Sequence, residues 1–286
     1  MPEIPEVTAL VADLGPRLIG HTVDRLEIVA FSALKTFEIS PTDLHGKKVT
    51  GVARHGKFLD IEIEDVHLIT HLALLGWLRW REKAPVPSAR PTRGPLAARF
   101  VLEGGEGFDL TEMGTKKGLG IWLVHSPQEV PRIAQLGPDP LDADFTVDLF
   151  ARILSTQGRS QIKGVLRQQS IIAGIGNAYS DEILHAAKMS PFKPANMDAA
   201  DVQTLYDAMQ TTLRDAIARA DGLAASELKA EKKSGLQVHG RTGQACPVCG
   251  DTIRQVTYAD SNFQYCPTCQ TGGKPLADRV LSRLLK

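Results

Sequence analysis

Two groups of residues have types and spacings that could do chemistry. The chain opens Met1-Pro2-Glu3. Removal of Met1 would expose the secondary amine of Pro2, which can attack a carbonyl carbon and form an iminium ion. An N-terminal amine titrates near about 8, so a useful unprotonated fraction exists at neutral pH. Glu3 beside it could donate or accept a proton at a sugar, and Glu6, one helical turn on, could order the segment. By themselves these residues read more simply as the polar start of an amphipathic helix. The second group is Cys246-Pro-Val-Cys249 and Cys266-Pro-Thr-Cys269, a C-x2-C-x16-C-x2-C pattern. That spacing belongs to zinc ribbons, in which two tight knuckles deliver four thiolates to one tetrahedral ion. Four protein ligands leave no open position for catalysis, so the expected cofactor is one structural Zn2+ that folds a hairpin too short to have a core.

A third stretch, Ala173-Gly174-Ile175-Gly176-Asn177, precedes a helical-looking run from Ala178 to Leu184. Two glycines there let the backbone turn sharply toward an anion, to which free amides and Asn177 could donate. Tyr179 stands where a dinucleotide fingerprint needs its third glycine, and no βαβ unit surrounds the turn, so a Rossmann reading fails. Taken alone, such a turn is more often a helix connection than a ligand site. Residues 151–190 hold five Lys/Arg (Arg152, Arg159, Lys163, Arg167, Lys188) against Asp181 and Glu182, a formal +3. Residues 227–286 hold nine Lys/Arg and five Asp/Glu, a formal +4, which suits phosphate contacts or an ordinary solvated face.

The elements that must position these groups follow from the pattern. At 286 residues the chain is long enough for about two domains, each with its own core. Apolar residues at 43% and charged residues at 23% exclude a mostly disordered chain. Lys+Arg and Asp+Glu, 33 each, cancel, so attraction to a polyanion must come from how the charges are distributed. Neither a signal peptide nor a membrane span is expected, and with all four cysteines committed to metal the expected location is intracellular, cytoplasmic or nucleoid. Val7, Leu10, Val11 and Leu14 predict a short helix that Gly15-Pro16 disturbs. Strands are expected at Val23–Val29, Phe58–Ile63, His67–Leu72, Trp77–Trp80, Ala98–Leu102 and Ile121–Val124, suggesting a β-sandwich or barrel. Ala84–Pro95, rich in proline, reads as an exposed loop, and Lys229–Ser234 as a mobile one. After Gly137-Pro138-Asp139-Pro140 the pattern turns helical, with a long amphipathic stretch from about 199 to 219. Two modules with a hinge are implied, and the cleft between modules is the default place for a site.

The ordered combination of Pro2-Glu3-Ile4-Pro5-Glu6-Val7, a sandwich, a basic helical module with Gly-Ile-Gly-Asn and a four-cysteine ribbon resembles the formamidopyrimidine-DNA glycosylase and endonuclease VIII family over nearly the whole length. The resemblance implies an α+β fold: an N-terminal helix plus β-sandwich, then a C-terminal helix–two-turn–helix module with a β-hairpin zinc ribbon. It divides the chain at 1–135 (catalytic), 136–235 (DNA-binding) and 236–286 (ribbon and tail), with Leu136-Gly137-Pro138-Asp139-Pro140-Leu141 as the linker. It implies that Pro2 is the nucleophile at C1′ of a damaged nucleotide and Glu3 the acid/base. Arg54-His55-Gly56-Lys57-Phe58-Leu59 resembles the family's lysine strand, so Lys57 would contact phosphate near the lesion and assist catalysis. Asn177 matches the phosphate-binding asparagine, Lys163 in the same basic module is expected to contact DNA, and Val238-His239-Gly240-Arg241-Thr242-Gly243 matches the lead into the ribbon.

Three departures stand out. Where the family has an arginine on the ribbon hairpin, counting back from Cys266 gives Ser261, which lacks a cationic fork; that grip is either lost or supplied elsewhere, with Arg254 at hand. Lys117, Gly118 and Leu119 replace an arginine-arginine-phenylalanine run, and Leu74 stands near an expected methionine. Gln168 replaces a common aspartate. A leucine wedge fills space but cannot hydrogen-bond an orphaned base, which argues against an oxidised-purine preference. The function implied is base excision through a proline Schiff base with β-elimination at the abasic site, by a monomer acting on double-stranded DNA that carries a damaged base or abasic site. The alternative is a catalytically weak binder of damaged or branched DNA.

Overall fold

Ile4, Val7, Leu10, Leu14 and Leu18 recur every three or four residues, and in the computed structural model they form the buried stripe of helix α1 (Ile4–Leu18). The helix runs through Gly15-Pro16 instead of ending there. Pro16 lies in the last turn, and the fully buried Leu18 beyond it gains roughly 1.5–3 kcal/mol by staying in the core. Residues 1–85, 94–258 and 261–277 are described. They divide into two units, Met1–Gln135 with Arg219–Glu231, and Leu136–Ala218 with Lys232–Lys286.

In the first unit the strands are β1 (Val23–Ile28), β2 (Val49–His55), β3 (Phe58–Ile63), β4 (Val66–His71), β5 (Gly76–Arg81), β6 (Leu96–Leu102), β7 (Gly107–Glu112) and β8 (Gly120–Val124). They form two antiparallel sheets, ordered β1-β6-β7-β5 and β2-β3-β4-β8. Inward residues of both, among them Leu59, Ile61, Leu68, Phe100, Phe108 and Leu110, share one core with Leu10 and Leu14 of α1, which packs on β2 and β3. The sandwich is therefore as expected. The spacing argument missed β2 and β7 for identifiable reasons. β2 carries Gly51 and is mostly half-exposed, so it lacks an apolar face, while β7 follows a glycine-rich run and buries a charge, Asp109. Arg99 Nε (2.7 Å) and Arg81 Nε (2.8 Å) hold that carboxylate, which makes its burial tolerable. Of the loop expected at Ala84–Pro95, residues 86–93 lie outside the described residues.

Residues 219–231 belong to the first unit because Ala220, Ala225 and Leu228 join its core and Trp77 Nε1 donates to the Ala225 carbonyl at 2.9 Å. Lys229–Ser234 is not a loop but part of a helix. Leu228 anchors its start, the Lys229 ammonium lies 4.6 Å from the Trp77 ring centroid, and Glu231 pairs with Arg219 at 2.8 Å.

The first unit ends its N-terminal part with α2 (Pro131–Ala134); the second holds α3 (Val147–Thr156), α4 (Ile162–Arg167), α5 (Asn177–Ala186) and most of α6 (Ala199–Ala220), while α7 (Leu228–Gly235) is divided between the units. Val202, Leu205, Met209, Leu213 and Ala216 mark the buried face of α6. The ribbon hairpin pairs β9 (Arg254–Tyr258) with β10 (Ser261–Tyr265), and the short α8 (Pro267–Thr271) carries the last cysteine.

Candidate functional site

The candidate reactive residues are ordered by the helix cap. Glu3 is the N-cap of α1, and its backbone N–H donates to Glu6 Oε2 at 2.8 Å in a reciprocal capping box. Pro2 is buried, and Glu3 is only 2% exposed. A carboxylate so placed has one conformation and little water, both useful for directed proton transfer. Lys57 is 7% exposed and sits in the β2–β3 turn, where Gly56 takes a left-handed φ of 56° and its carbonyl accepts from Arg54 at 3.0 Å.

Sequence reasoning missed His71. It lies opposite Phe58 in the β3–β4 ladder, with ring centroids 4.7 Å apart, and is 5% exposed. Burial, then the charges of Arg132 and Lys57, lower its pKa to about 3, so the ring is neutral at physiological pH. Its Nδ1 is buried with no hydrogen-bond partner among the described residues. An unfolded histidine titrates near about 6.5, so from there down to about pH 3 the unfolded chain binds the extra proton and stability falls by up to about 1.4 kcal/mol per pH unit. Above that window the contribution is flat. His71→Phe, which keeps the stack on Phe58, should flatten this acid limb in urea melts at pH 7 and 4.5; equal losses in both proteins would assign the limb to other groups.

The exposed apolar tip differs from the expected one. Leu74 is 71% exposed, but Leu119 is 2% exposed and belongs to the core, so it is not available to any ligand. Glu112 folds its loop back: Oε1 accepts from Gly118 N (2.7 Å) and Leu119 N (2.9 Å), and its carbonyl accepts from Lys117 Nζ (2.6 Å). Met113, 58% exposed, takes the outward place, and its N–H donates to the Leu75 carbonyl at 3.3 Å. Leu74, Leu75 and Met113 therefore come from two loops joined by a backbone bond. Ala73 holds a left-handed φ of 51°, and a Cβ on Gly76 would meet the Leu72 carbonyl at 2.0 Å, so this turn is tightly specified.

In the second unit Gln169 braces the glycine turn, accepting from Gly174 N (2.9 Å) and donating to the Ile175 carbonyl (2.7 Å). Asn177 starts α5, and its side-chain amide donates to the Asn262 carbonyl on the ribbon at 2.6 Å, which occupies one of its two N–H groups. Lys163 is buried beneath this turn. Its ammonium meets Asp181 Oδ1 (2.6 Å), Ser180 Oγ (2.7 Å) and the Asn177 carbonyl (3.3 Å). Arg254 opens β9 with an exposed side chain, and Ser261 opens β10 opposite Tyr258. The sequence placed Asn177 and Lys163 in one basic module, and the structure brings them together with the ribbon.

The four cysteine sulfurs lie within 4.8 Å of one another. Cys246–Cys269 and Cys249–Cys266 are 3.9 and 3.4 Å apart, around the roughly 3.8 Å that a tetrahedral ion with bonds of about 2.3 Å requires. Burial, with the neighbouring sulfurs, pushes Cys266 up to about 11 and Cys269 higher still, so a cation is what would let this set ionise together. The donor set fits a thiophilic ion. No helix among the described residues is long and apolar enough to cross a membrane.

A capped helix on a two-sheet sandwich and a helical unit docked to a four-cysteine ribbon are features of a two-part architecture. Residues 1–117 match the formamidopyrimidine-DNA glycosylase N-terminal domain, and residues 136–227 match the formamidopyrimidine-DNA glycosylase H2TH domain. A formamidopyrimidine-DNA glycosylase of Symbiobacterium thermophilum is 32% identical over 283 residues, covering 94% of this chain and 89% of that protein. A formamidopyrimidine-DNA glycosylase-like protein of Mycobacterium tuberculosis is 57% identical over 157 residues, 54% of this chain and 98% of that one. The Lactococcus lactis formamidopyrimidine-DNA glycosylase, solved non-covalently bound to DNA containing an abasic site, superposes with a TM-score of 0.81 at 28% identity, covering 94% and 99% of the two chains. The chain belongs to the formamidopyrimidine-DNA glycosylase family.

Proposed function

We propose that this chain is a DNA glycosylase and abasic-site lyase of base excision repair, acting on double-stranded DNA that contains a damaged base or an abasic site. The observation that carries the reading is the buried Pro2-Glu3 cap of α1 in a chain of this family. In a chain processed to begin at Pro2, the amine attacks C1′ as the glycosidic bond breaks, its proton leaves with the departing base, and Glu3 protonates the sugar ring oxygen as the ring opens. The sugar ring oxygen leaves C1′, an iminium forms between the proline nitrogen and C1′, and loss of a C2′ proton expels the 3′ phosphate.

The remaining residues divide by task. Lys57 supplies positive charge for the phosphate beside the reacting sugar, and a bound phosphate or water there would satisfy His71 Nδ1. Asn177, Arg254 and Ser261 contact the backbone, while Lys163 supports the turn from below through Asp181. Extrusion of a nucleotide costs a few kcal/mol. Leu74, with Leu75 and Met113, fills the vacated space by apolar contact alone, and this favours excision with little discrimination of the opposite base. One Zn2+ on Cys246, Cys249, Cys266 and Cys269 holds the ribbon together.

Borohydride reduction tests the chemistry. Protein shown by mass spectrometry to begin at Pro2 should be captured covalently on abasic-site duplex, and Pro2→Gly should retain binding with reduced chemistry. Absence of any captured species from the Pro2-initiated protein would leave a binder of damaged DNA in place of an enzyme.

A further inference from the structure

Helix α5 presents three polar side chains at positions i, i+4 and i+8, which lie above one another on a single face. Each reaches the ribbon region. Asn177 donates to the Asn262 carbonyl (2.6 Å), Asp181 accepts from Gln264 N (3.2 Å) and lies 2.7 Å from His239 Nδ1, and His185 Nε2 lies 3.3 Å from Cys246 Sγ. Glu182, one residue along, accepts from the N–H groups of Gln237, Val238 and His239 at 2.7, 3.0 and 2.8 Å, fixing the segment that leads to Cys246. His185 and Cys246 are both buried, so water does not compete for their contact. The four sulfurs complete a tetrahedron without an imidazole, and His185 is therefore left for the sulfur and not for the ion.

We propose that His185 is a positioning residue for the metal centre: its Nε2–H donates to the Cys246 thiolate and ties the ion to the helix that carries Asn177. This rests on the reading that the four cysteines hold a metal ion. A thiolate that accepts a hydrogen bond carries less negative charge and holds its place against thermal motion and chelators. The same contact fixes the C-terminal end of α5 to the ribbon while Asn177 fixes its N-terminal end, so the ion and the phosphate-facing turn share one rigid rod. Such outer partners change metal affinity by about 10–100-fold when removed.

The test uses the full chain loaded with Zn2+ or Co2+, with His185→Phe, which keeps a ring but no donor, and His185→Gln, whose amide N–H stands where Nε2 stood. The phenylalanine variant should release its ion to a chelator about 10–100-fold faster than wild type. Its sulfur-to-Co2+ charge-transfer band should move to lower energy, because a thiolate without the hydrogen bond gives up an electron more readily. The glutamine variant should recover most of both properties. Wild-type rate and band energy in the phenylalanine variant would overturn the proposal. So would equal perturbation of both variants, since packing and not donation would then be the cause. A wild-type chain that binds no ion in these titrations would instead overturn the metal reading, and this proposal with it.

Discussion

Glu3→Gln should slow base excision by about 10²–10⁴-fold while leaving the affinity for duplex carrying an abasic-site analogue nearly unchanged. The separation follows from what glutamine keeps. Its side chain has the same length and an acceptor oxygen for the first helical turn, and the Glu3 backbone N–H still finds Glu6 Oε2, so the cap of α1 survives. What is lost is the proton that the carboxyl group can give and take. Single-turnover excision with enzyme in excess measures the chemical step, and a thermal melt on the same preparation checks the fold. An unchanged rate would remove Glu3 from the reaction. A slowed rate with a lowered melting temperature would show that the residue serves the cap alone.

The contrast between Glu3 and Lys163 shows how far the sequence reached. Glu3 was singled out in the sequence as the proposed acid/base, and the structure places it as the buried N-cap of α1. Lys163 was read from local charge as a DNA contact, yet it is buried against Asp181, a residue eighteen positions away whose partnership no spacing rule announces. His71 gave no signal either: in the sequence it is a polar residue at a strand end, and its neutrality comes from burial beside Lys57 and Arg132. The clustering of the four cysteines was legible, since two C-x2-C pairs at this spacing bring four sulfurs together. The sandwich was legible wherever strands alternate cleanly and illegible at β2 and β7, where a glycine and a buried aspartate break the pattern.

Aligning residue types set Leu119 in place of the family's phenylalanine, but two backbone N–H bonds to Glu112 turn the loop and send Leu119 into the core. Met113 reaches solvent as a result, with Leu74 and Leu75. None of the three side chains offers a hydrogen-bond donor, so under the proposed function the identity of an orphaned base would have little to act on.

Cys246→Ser should release the ion and uncouple the ribbon from α5. Binding of a structural zinc by a four-ligand site is worth about 10–16 kcal/mol in small domains, more than a hairpin of this size can replace. Cys246 is also the sulfur that meets His185, so its loss removes a ligand and the helix contact together. The hairpin will not vanish as a whole, because Phe263 stacks edge-on against Phe192 at 5.5 Å and lies over the Lys163 ammonium. The expected result is graded: metal content near zero, fast hydrogen exchange through the knuckles and β9, partial protection in β10, and weakened binding of abasic-analogue duplex as Asn262 leaves Asn177. Protection in α1 and the sandwich should not change, because their core contains no described residue of the ribbon. One retained ion per chain, or ribbon amides as slow as wild type, would mean that the remaining three cysteines suffice and that the fourth is dispensable to the grip on DNA.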